Sequence, residues 1–445
     1  MKNNPTINKE VLRLAIPAIF ASITVPLVGI VDTAIVGHIA DASAIGGIAI
    51  SSMIFNILYW CFGFLRVGTS GMVAQAYGRG DKETQGGILL QAVGICMAGT
   101  LLLWSIQWPV YYGIMEVIPS SEGVGQYSHD YFFIRIWAAP ATLLLFTAKG
   151  FFIGEQNTMA SLICDLTVNV VNVIASFGLA FYTEAGVMGV AYGTVIAQYT
   201  GVVVAGIICA VRYRDIVKAG LRHAADKVAF KATLRSYASL NSDLVIRNIC
   251  FMVVYVGFTA IASQYGDEEL AVSSIMMQLF MVFSYFCDGF AYAAEAMVGR
   301  FVGEKNPTLI RMTVRDVHLW GVVIGTVFTL LFIFRSDDMI GLISDDPLVL
   351  TTAQPYYIWL MVMPYLSSLA FLWDGVFTGA TDGKVMRNSM IGSVVFFLLV
   401  YWAGHGHYGM HALYAAYMAH LVFRSVYMTA LWPYKFKKWI STLSY

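Results

Sequence analysis

Long apolar segments recur from one end of the chain to the other, and they constrain the fold more than any other feature. A membrane-spanning helix needs about 20 consecutive apolar residues, and runs of roughly that length return after each polar interval. Because a spanning segment must satisfy its own backbone hydrogen bonds in lipid, we expect helices. The sequence therefore predicts an all-α integral membrane protein with twelve spans, at 11–36, 48–76, 86–112, 128–154, 159–182, 187–211, 234–262, 270–298, 312–335, 349–379, 387–405 and 409–432.

The composition excludes a soluble globular protein. Hydrophobic residues make up 58% of the 445 residues and charged residues only 12%, against roughly 25% charged residues in soluble domains. The net charge is zero, so we expect the lipid bilayer and no nucleic acid as a partner. The six cysteines lie in apolar segments without paired spacing, which predicts free thiols and no metal site.

Most of the 27 basic residues lie in alternate connections. These are the N-terminus, the connections after the second, sixth, eighth and tenth segments, and the C-terminal tail. By the positive-inside rule they face the cytoplasm, which places both termini on the cytoplasmic side of the inner membrane. The longest basic stretch, 212–233, is predicted to link an N-lobe of six helices at 1–211 to a C-lobe of six helices at 234–445.

The two halves of the chain resemble each other. A shift of 225 residues places GMVAQAYGRGDK (71–82) on AMVGRFVGEKNP (296–307) and GFFIG (150–154) on GVFTG (375–379). With an even number of segments in each half, both halves have the same orientation, as in the parallel repeats of secondary transporters. We predict two pseudo-symmetric six-helix lobes with a site near the bilayer midplane.

Asp32 follows an almost continuous apolar run, where an ionised carboxylate is costly. It is either a hydrated carboxylate near the outer helix end or a proton carrier, because protonation removes most of the burial cost. Pro17 and Pro26 precede it, and each removes a backbone donor and can kink the helix.

Polar residues at helical spacing accompany Asp32 in the first half. They either form hydrogen bonds between helices or form an ion relay with Asp32. Asn169, Asn172 and Ser176 lie on one face of the fifth segment. Thr194 and Gln198 lie on one face of the sixth segment.

The second half carries its own intramembrane charges. Asp243 and Arg247 lie four residues apart, so that they can pair on one helix face. Asp288, Glu295 and Asp374 add three carboxylates against one nearby arginine. This balance suits organic cations or a coupling ion, and a closed structural network of ion pairs fits the same residues.

No phosphate-binding GxxxxGK[ST] loop and no hydrolase spacing occurs in the sequence. The pattern therefore indicates a secondary transporter, not an enzyme or an ATP-driven pump. Energy must come from an ion gradient or from coupled exchange.

Four segments resemble the DinF-like branch of the multidrug and toxic compound extrusion (MATE) family. They are IVDTAIVGHIADASAIGG (30–47), GFFIGEQNT (150–158), DGFAYAAEAMVGRFVGEKN (288–306) and WDGVFTGATDGKVMRN (373–388). The resemblance implies two six-helix lobes around a V-shaped central cavity. It also implies export of organic, often cationic and amphipathic compounds against H⁺ or Na⁺, with no other cofactor. We expect a monomer.

The resemblance also assigns residues. The N-lobe carboxylate of the family matches Asp32, its kink proline matches Pro17, and further polar positions match Asn157, Asn172 and Thr194. At 176 the family pattern has an aspartate and this chain has Ser176, which leaves Asp32 as the only carboxylate of the relay. In the C-lobe the branch keeps charged residues at the positions of Asp243, Arg247, Asp288, Glu295 and Asp374.

We therefore predict a multidrug efflux antiporter that uses H⁺, with Na⁺ as the second candidate ion. The alternative is a flippase for a lipid-linked precursor, from the same wider superfamily. A flippase needs a cationic cavity to meet a diphosphate, whereas the predicted interior is more acidic than basic.

Overall fold

The computed structural model describes residues 5–39, 42–118, 120–344 and 347–441, and within these ranges every regular element is a helix. Two single 3₁₀ turns, Ile136–Ala138 and Gln354–Tyr356, join consecutive helices. The α-helices are α1 Pro5–Ile39, α2 Ala42–Cys61, α3 Phe64–Gly78, α4 Lys82–Val117, α5 Glu122–Arg135, α6 Ala139–Gly154, α7 Thr158–Tyr182, α8 Met188–Arg212, α9 Arg214–Ala225, α10 Lys227–Ala262, α11 Asp267–Gly303, α12 Pro307–Gly341, α13 Pro347–Ala353, α14 Tyr357–Gly379, α15 Gly383–Tyr408 and α16 Met410–Ser441.

Ten helical segments in the described part of the chain are long and apolar enough to cross a membrane. The prediction of an all-α membrane protein is confirmed. Neither α1 nor α16 is among those ten, so the count of twelve spans stays a prediction. The six cysteines are free thiols, as expected.

The predicted linker is not an extended chain, because it contains the helix α9. Three residues of α9, Ile216, Gly220 and His223, are buried. Gly220 lies directly against the backbone of Gly86 on α4, where a side chain on either residue would overlap the other helix. The two arginines and the lysine of α9, Arg214, Lys218 and Arg222, are exposed.

The internal repeat is visible in the backbone. The turn before α4 contains Gly80 with φ +68°, and the turn before α12 contains Lys305 with φ +58°, 225 residues later. The turn before α7 contains Gln156 with φ +60°, and the turn before α15 contains Thr381 with φ +56°, at the same offset. Non-glycine residues rarely adopt this left-handed conformation, so its repetition at equivalent places supports the duplication.

Two close helix crossings repeat at the same offset. Gly150 of α6 packs against the backbone carbonyl of Arg66 on α3, and Gly375 of α14 packs against that of Ala291 on α11. A Cβ atom at either glycine would overlap the facing oxygen. Small residues let transmembrane helices approach to this degree, so glycine is required at both crossings.

The chain forms two compact units. The first unit is Phe20–Ala238, and the second unit combines Met1–Ile19 with Ser239–Tyr445. The chain therefore passes between units inside α1 and inside α10, and not at a loop. Within the second unit, Gly289 of α11 packs against Ala15 and Ile19 of α1. The predicted lobe limits at 211 and 234 stay a prediction.

Each unit is filled by large aromatic side chains. In the first unit, Phe151 and Phe152 of α6 are fully buried and pack with Tyr213 at the end of α8. In the second unit, Phe258 of α10 packs edge-on against Tyr417 of α16. These aromatic cores fix the rotation of the helices that carry the charged residues.

Candidate functional site

Asp32 lies on α1, in the first unit, seven residues before the helix ends. Its side chain is buried, with 6% of its surface exposed. Asn172 and Ser176 of α7 and Thr194 of α8 lie within hydrogen-bonding reach of its carboxylate. The structure thus brings together four of the five residues predicted to form the ion site.

A close approach of α7 and α8 creates this cluster. Gly193 of α8 packs directly against Ser176 of α7, where a side chain at 193 would overlap it. The next residue, Thr194, therefore faces Asn172, whose amide nitrogen donates to the threonine oxygen at 3.0 Å. The Thr194 hydroxyl in turn donates to the carbonyl of Val190 at 3.1 Å.

Two acceptor oxygens in the cluster remain without a donor among the described residues. They are Oδ1 of Asp32 and Oδ1 of Asn172, and both are buried. A buried acceptor without a partner costs about 1–3 kcal/mol. A proton carried on the Asp32 carboxyl, or a bound cation, would satisfy these oxygens.

Arg135 is the charged neighbour that the sequence analysis missed. It lies at the end of α5, partly buried, within electrostatic reach of Asp32. Its guanidinium donates to Ser52 Oγ at 3.1 Å and to the Tyr131 hydroxyl at 3.2 Å. It also lies over the ring of Phe55, 5.0 Å from the centroid. A lone arginine inside the apolar run 128–154 was a signal of the same kind as Asp32.

Asn157 is not part of the Asp32 cluster. It caps the beginning of α7, where its side-chain oxygen accepts from the backbone N–H of Ala160 at 3.2 Å. Its amide nitrogen donates to the Tyr213 hydroxyl at 2.9 Å. At 1.5 Å per residue, it lies about 22 Å along α7 from Asn172. The structure therefore gives Asn157 a capping role at the other end of the helix.

Pro17 and Pro26 both lie inside α1, which continues through them from Pro5 to Ile39. Close to Pro26, the backbone carbonyl of Thr24 accepts a hydrogen bond from the Asn169 side chain of α7 at 3.1 Å. Pro26 removes the N–H that would donate to the carbonyl of Ser22, four residues earlier, and the Asn169 contact joins α1 to α7 beside this proline.

The charges of the second unit pair differently from the prediction. Arg247 of α10 donates to Asp374 Oδ2 at 2.5 Å, and Asp243 accepts from Arg387 Nη1 at 2.6 Å. The expected pairing of Asp243 with Arg247 along one helix is therefore wrong. Partners on α14 and α15 come closer than the neighbour four residues away.

Two further arginines reduce the predicted acidic surplus of the second unit, and leave four carboxylates (Asp243, Asp288, Glu295, Asp374) against three arginines (Arg247, Arg387, Arg424). Besides Arg387, the fully buried Arg424 of α16 donates to the same oxygen of Asp374 at 2.5 Å. Nε and Nη1 of Arg424 and Nε of Arg247 are buried without an acceptor in the described part of the chain. Asp374 thus lies between two guanidinium groups.

Asp288 and Glu295 lie two turns apart on α11, the former half-buried and the latter buried. The backbone carbonyl of Glu295 faces Gly379 of α14. The helix α11, which carries both carboxylates, thus packs along α14, which carries Asp374.

Equivalent positions of the repeat carry opposite charges. Lys149, immediately before the Gly150 crossing, corresponds to Asp374, immediately before the Gly375 crossing. Lys149 forms an ion pair with the buried Asp165 of α7. The two units therefore share a backbone scaffold and differ in the electrostatics built on it.

Glu155 lies just outside the span that ends at Gly154, and it is buried. Burial raises the pKa of its carboxyl to about 8, and Lys82 partly opposes this shift. In the amide orientation that satisfies both partners, the Gln85 nitrogen donates to Glu155 at 3.0 Å and its oxygen accepts from the Tyr77 N–H at 3.2 Å. Glu155 directly follows the apolar run 128–154, and its sequence context predicts no role for it.

A family model, described as MatE, matches residues 17–178 and 244–403, one stretch in each half of the chain. The chain belongs to the MatE family. The two matched stretches of this MatE protein correspond to its two repeats, and each includes one of the paired glycine crossings.

Relatives and solved structures agree with this membership. The chain is 29% identical to DNA damage-inducible protein F of Escherichia coli over 430 residues, 96% of this chain and 92% of that protein. It is 20% identical to the probable multidrug resistance protein NorM of Thermotoga maritima over 359 residues, 78% of this chain and 74% of that protein. A crystal structure of a MATE protein in the bent conformation superimposes with a TM-score of 0.87 at 15% identity, covering 99% of both chains. The fold is that of a two-lobed MATE membrane transporter.

Proposed function

We propose that this MatE-family protein is a secondary active antiporter. It exports organic, amphipathic and often cationic compounds in exchange for H⁺ that binds Asp32, with Na⁺ as the second candidate ion. The observation that carries the proposal is the buried Asp32 carboxylate, whose unpartnered oxygen lies in one cluster with the unpartnered oxygen of Asn172. The name of the Thermotoga maritima relative, a probable multidrug resistance protein, supports export of small organic compounds.

Protonation of Asp32 changes what the cluster can bind. An ionised carboxylate is an acceptor only, whereas a protonated carboxyl also donates one hydrogen bond. The proton enters from outside, where Asp32 lies near the end of α1, and turns a charged group into a neutral one. Because α1 contains Pro17 and Pro26, it lacks two backbone donors and can bend as its side-chain partners change. Bending expels the substrate, and loss of the proton to the cytoplasm resets the helix.

The protein acts, in this proposal, as a monomer in the inner membrane with both termini in the cytoplasm. The second unit contributes a charge network of Asp243, Arg247, Asp288, Glu295 and Asp374, which either contacts substrate or holds its helices together. The ion pairs of Asp374 and Asp243 favour a structural role for these two residues.

The test uses proteoliposomes that enclose a pH-sensitive dye. After an inward proton gradient is imposed, ethidium is added with and without sodium, for the wild type, Asp32→Asn and Asp130→Asn. Asp130 is an exposed carboxylate of the same unit and serves as the matched control. We expect the addition of ethidium to start proton movement across the membrane in the wild type and in Asp130→Asn. We expect no such movement in Asp32→Asn. Transport at the full rate by Asp32→Asn would refute the role of Asp32.

One observation keeps the flippase as a second candidate. Arg247 and Arg424 share the single carboxylate of Asp374, and arginine pairs suit phosphate groups. A protein that ignores every organic cation but moves a lipid-linked diphosphate between leaflets would support this candidate and exclude the antiporter.

A further inference from the structure

The position of Arg135 is fixed by three contacts within the first unit. Ser52 and Tyr131 accept two hydrogen bonds from its Nη1, and the ring of Phe55 lies below the guanidinium. Tyr131 itself is buried and also lies within electrostatic reach of Asp32. Tyr131 packs in one hydrophobic cluster with Ile35 and Val36 of α1, so its hydrogen bond holds Arg135 close to the helix that carries Asp32.

Arg135 supplies a positive charge that acts on Asp32. The polar side chains of Asn172, Ser176 and Thr194 beside Asp32 are neutral, and the phenols of Tyr59 and Tyr131 lie near Arg135. When Asp32 is ionised, the guanidinium compensates its charge. An opposite charge nearby favours the ionised form of a carboxylate, so a buried Asp32 can release its proton without taking up another cation.

Both charges are confined to one half of the repeat. At the positions equivalent to Asp32 and Arg135 in the other half, the chain has Gly257 and Leu360. The second half therefore has neither the carboxylate nor the arginine at these places.

The Asp32 site offers a sodium ion few favourable interactions. A hard cation prefers several oxygen ligands, preferably carboxylates, and here Ser176 supplies a hydroxyl in place of a second carboxylate. A sodium ion beside Asp32 would also be repelled by the fixed guanidinium. A proton differs because it forms a covalent bond to one oxygen and needs no coordination shell.

We propose that Arg135 is the residue that determines the ion preference of the Asp32 site: as a built-in counter-ion it replaces Na⁺ and leaves H⁺ as the coupling ion. This inference rests on the proposed function, since it concerns which ion drives the exchange. Arg135 acts through Asp32 and is thus a positioning residue.

The first test measures ion binding without transport. A ligand that binds only the folded state raises its thermal stability, so the purified protein is melted in sodium and in potassium salts. We expect no sodium-specific stabilisation of the wild type or of Arg135→Lys, which keeps the charge. Arg135→Gln should bind Na⁺ at least about tenfold more tightly, and the double variant with Asp32→Asn should lose that response.

The second test measures coupling in proteoliposomes. Sodium should leave ethidium-driven proton movement unchanged in the wild type, in Arg135→Lys and in Ser52→Ala, which removes one hydrogen bond and retains the charge. In Arg135→Gln, sodium should compete with protons, and the pH dependence of transport should shift toward alkaline values, because Asp32 loses the cation that favours its ionised form.

The outcomes distinguish a failure of the proposed antiport function from a failure of the role of Arg135. A wild type that moves no ion with any substrate refutes the proposed function. A sodium-coupled wild type refutes the role of Arg135 and leaves the antiporter intact. If Arg135→Gln folds and its response to sodium and to pH equals that of Arg135→Lys, Arg135 has no part in ion preference.

Discussion

The paired glycine crossings predict equal effects of the same substitution in both units. Alanine at Gly150 or at Gly375 places a Cβ atom on a backbone carbonyl of the facing helix, Arg66 in one unit and Ala291 in the other. A backbone oxygen cannot rotate away as a side chain can, so the helices must move apart. Overpacking of this kind costs about 1–3 kcal/mol, and the higher helix propensity of alanine returns at most about 1 kcal/mol. We expect each variant to be destabilised by about 1–2 kcal/mol.

Thermal unfolding of the purified protein in detergent, followed by size-exclusion chromatography, measures this effect. Gly94→Ala in α4 and Gly178→Ala in α7 are matched controls, since a Cβ atom at either position meets nothing within 4 Å. The controls should be as stable as the wild type or gain up to about 1 kcal/mol. The reasoning fails if Gly150→Ala and Gly375→Ala melt like the controls. A loss at one crossing only would contradict the structural equivalence of the repeats.

Three further predictions concern the helix ends and the second unit. The carboxyl of Glu155 has a pKa of about 8 in the folded protein, so its contribution to stability is complete below its ordinary pKa and is lost as the pH rises through about 8. This loss of stability amounts to as much as about 5 kcal/mol. Glu155→Gln should therefore flatten the pH dependence of the melting temperature. A variant whose melting temperature changes with pH as in the wild type would contradict this prediction. Lys305→Gly should stabilise the protein by about 1 kcal/mol, because residue 305 has a positive φ, whereas Gly80→Ala at the equivalent turn should destabilise it; equal melting temperatures would exclude a strained turn. Asp374→Asn removes the carboxylate between two arginines, and it should cost about 3–5 kcal/mol in the same melting assay, more than Arg424→Lys, which keeps the charge.

The features of the fold and of the candidate site that the sequence predicts depend on patterns within single segments. Segment length and hydropathy predict the helices, and a constant offset between similar segments predicts the repeat. The spacing of Asn172 and Ser176 placed both on one face of a helix, and an ionisable Asp32 in an apolar run marked the site. Thr194 joined them through its place in the next helix. Each of these inferences needed only the period of an α-helix and the cost of burying a charge.

The parts that sequence could not predict depend on helix rotation and register. Asp243 and Arg247 satisfy the rule for pairing along one helix, yet each has a closer partner across a helix interface. Arg424 lies 50 residues from Asp374 in sequence, so no local pattern connects them. Arg135 was visible as an arginine in an apolar run, but only the fold shows that it lies near Asp32.

The passage of α1 and α10 between units amounts to an exchange of helical segments. The beginning of α1 belongs to the second unit, and the beginning of α10, up to Ala238, belongs to the first unit. Reciprocal exchange of this kind is the geometry of domain swapping. In a chain cut between α9 and α10, each fragment would hold a segment that completes the unit formed mainly by the other fragment.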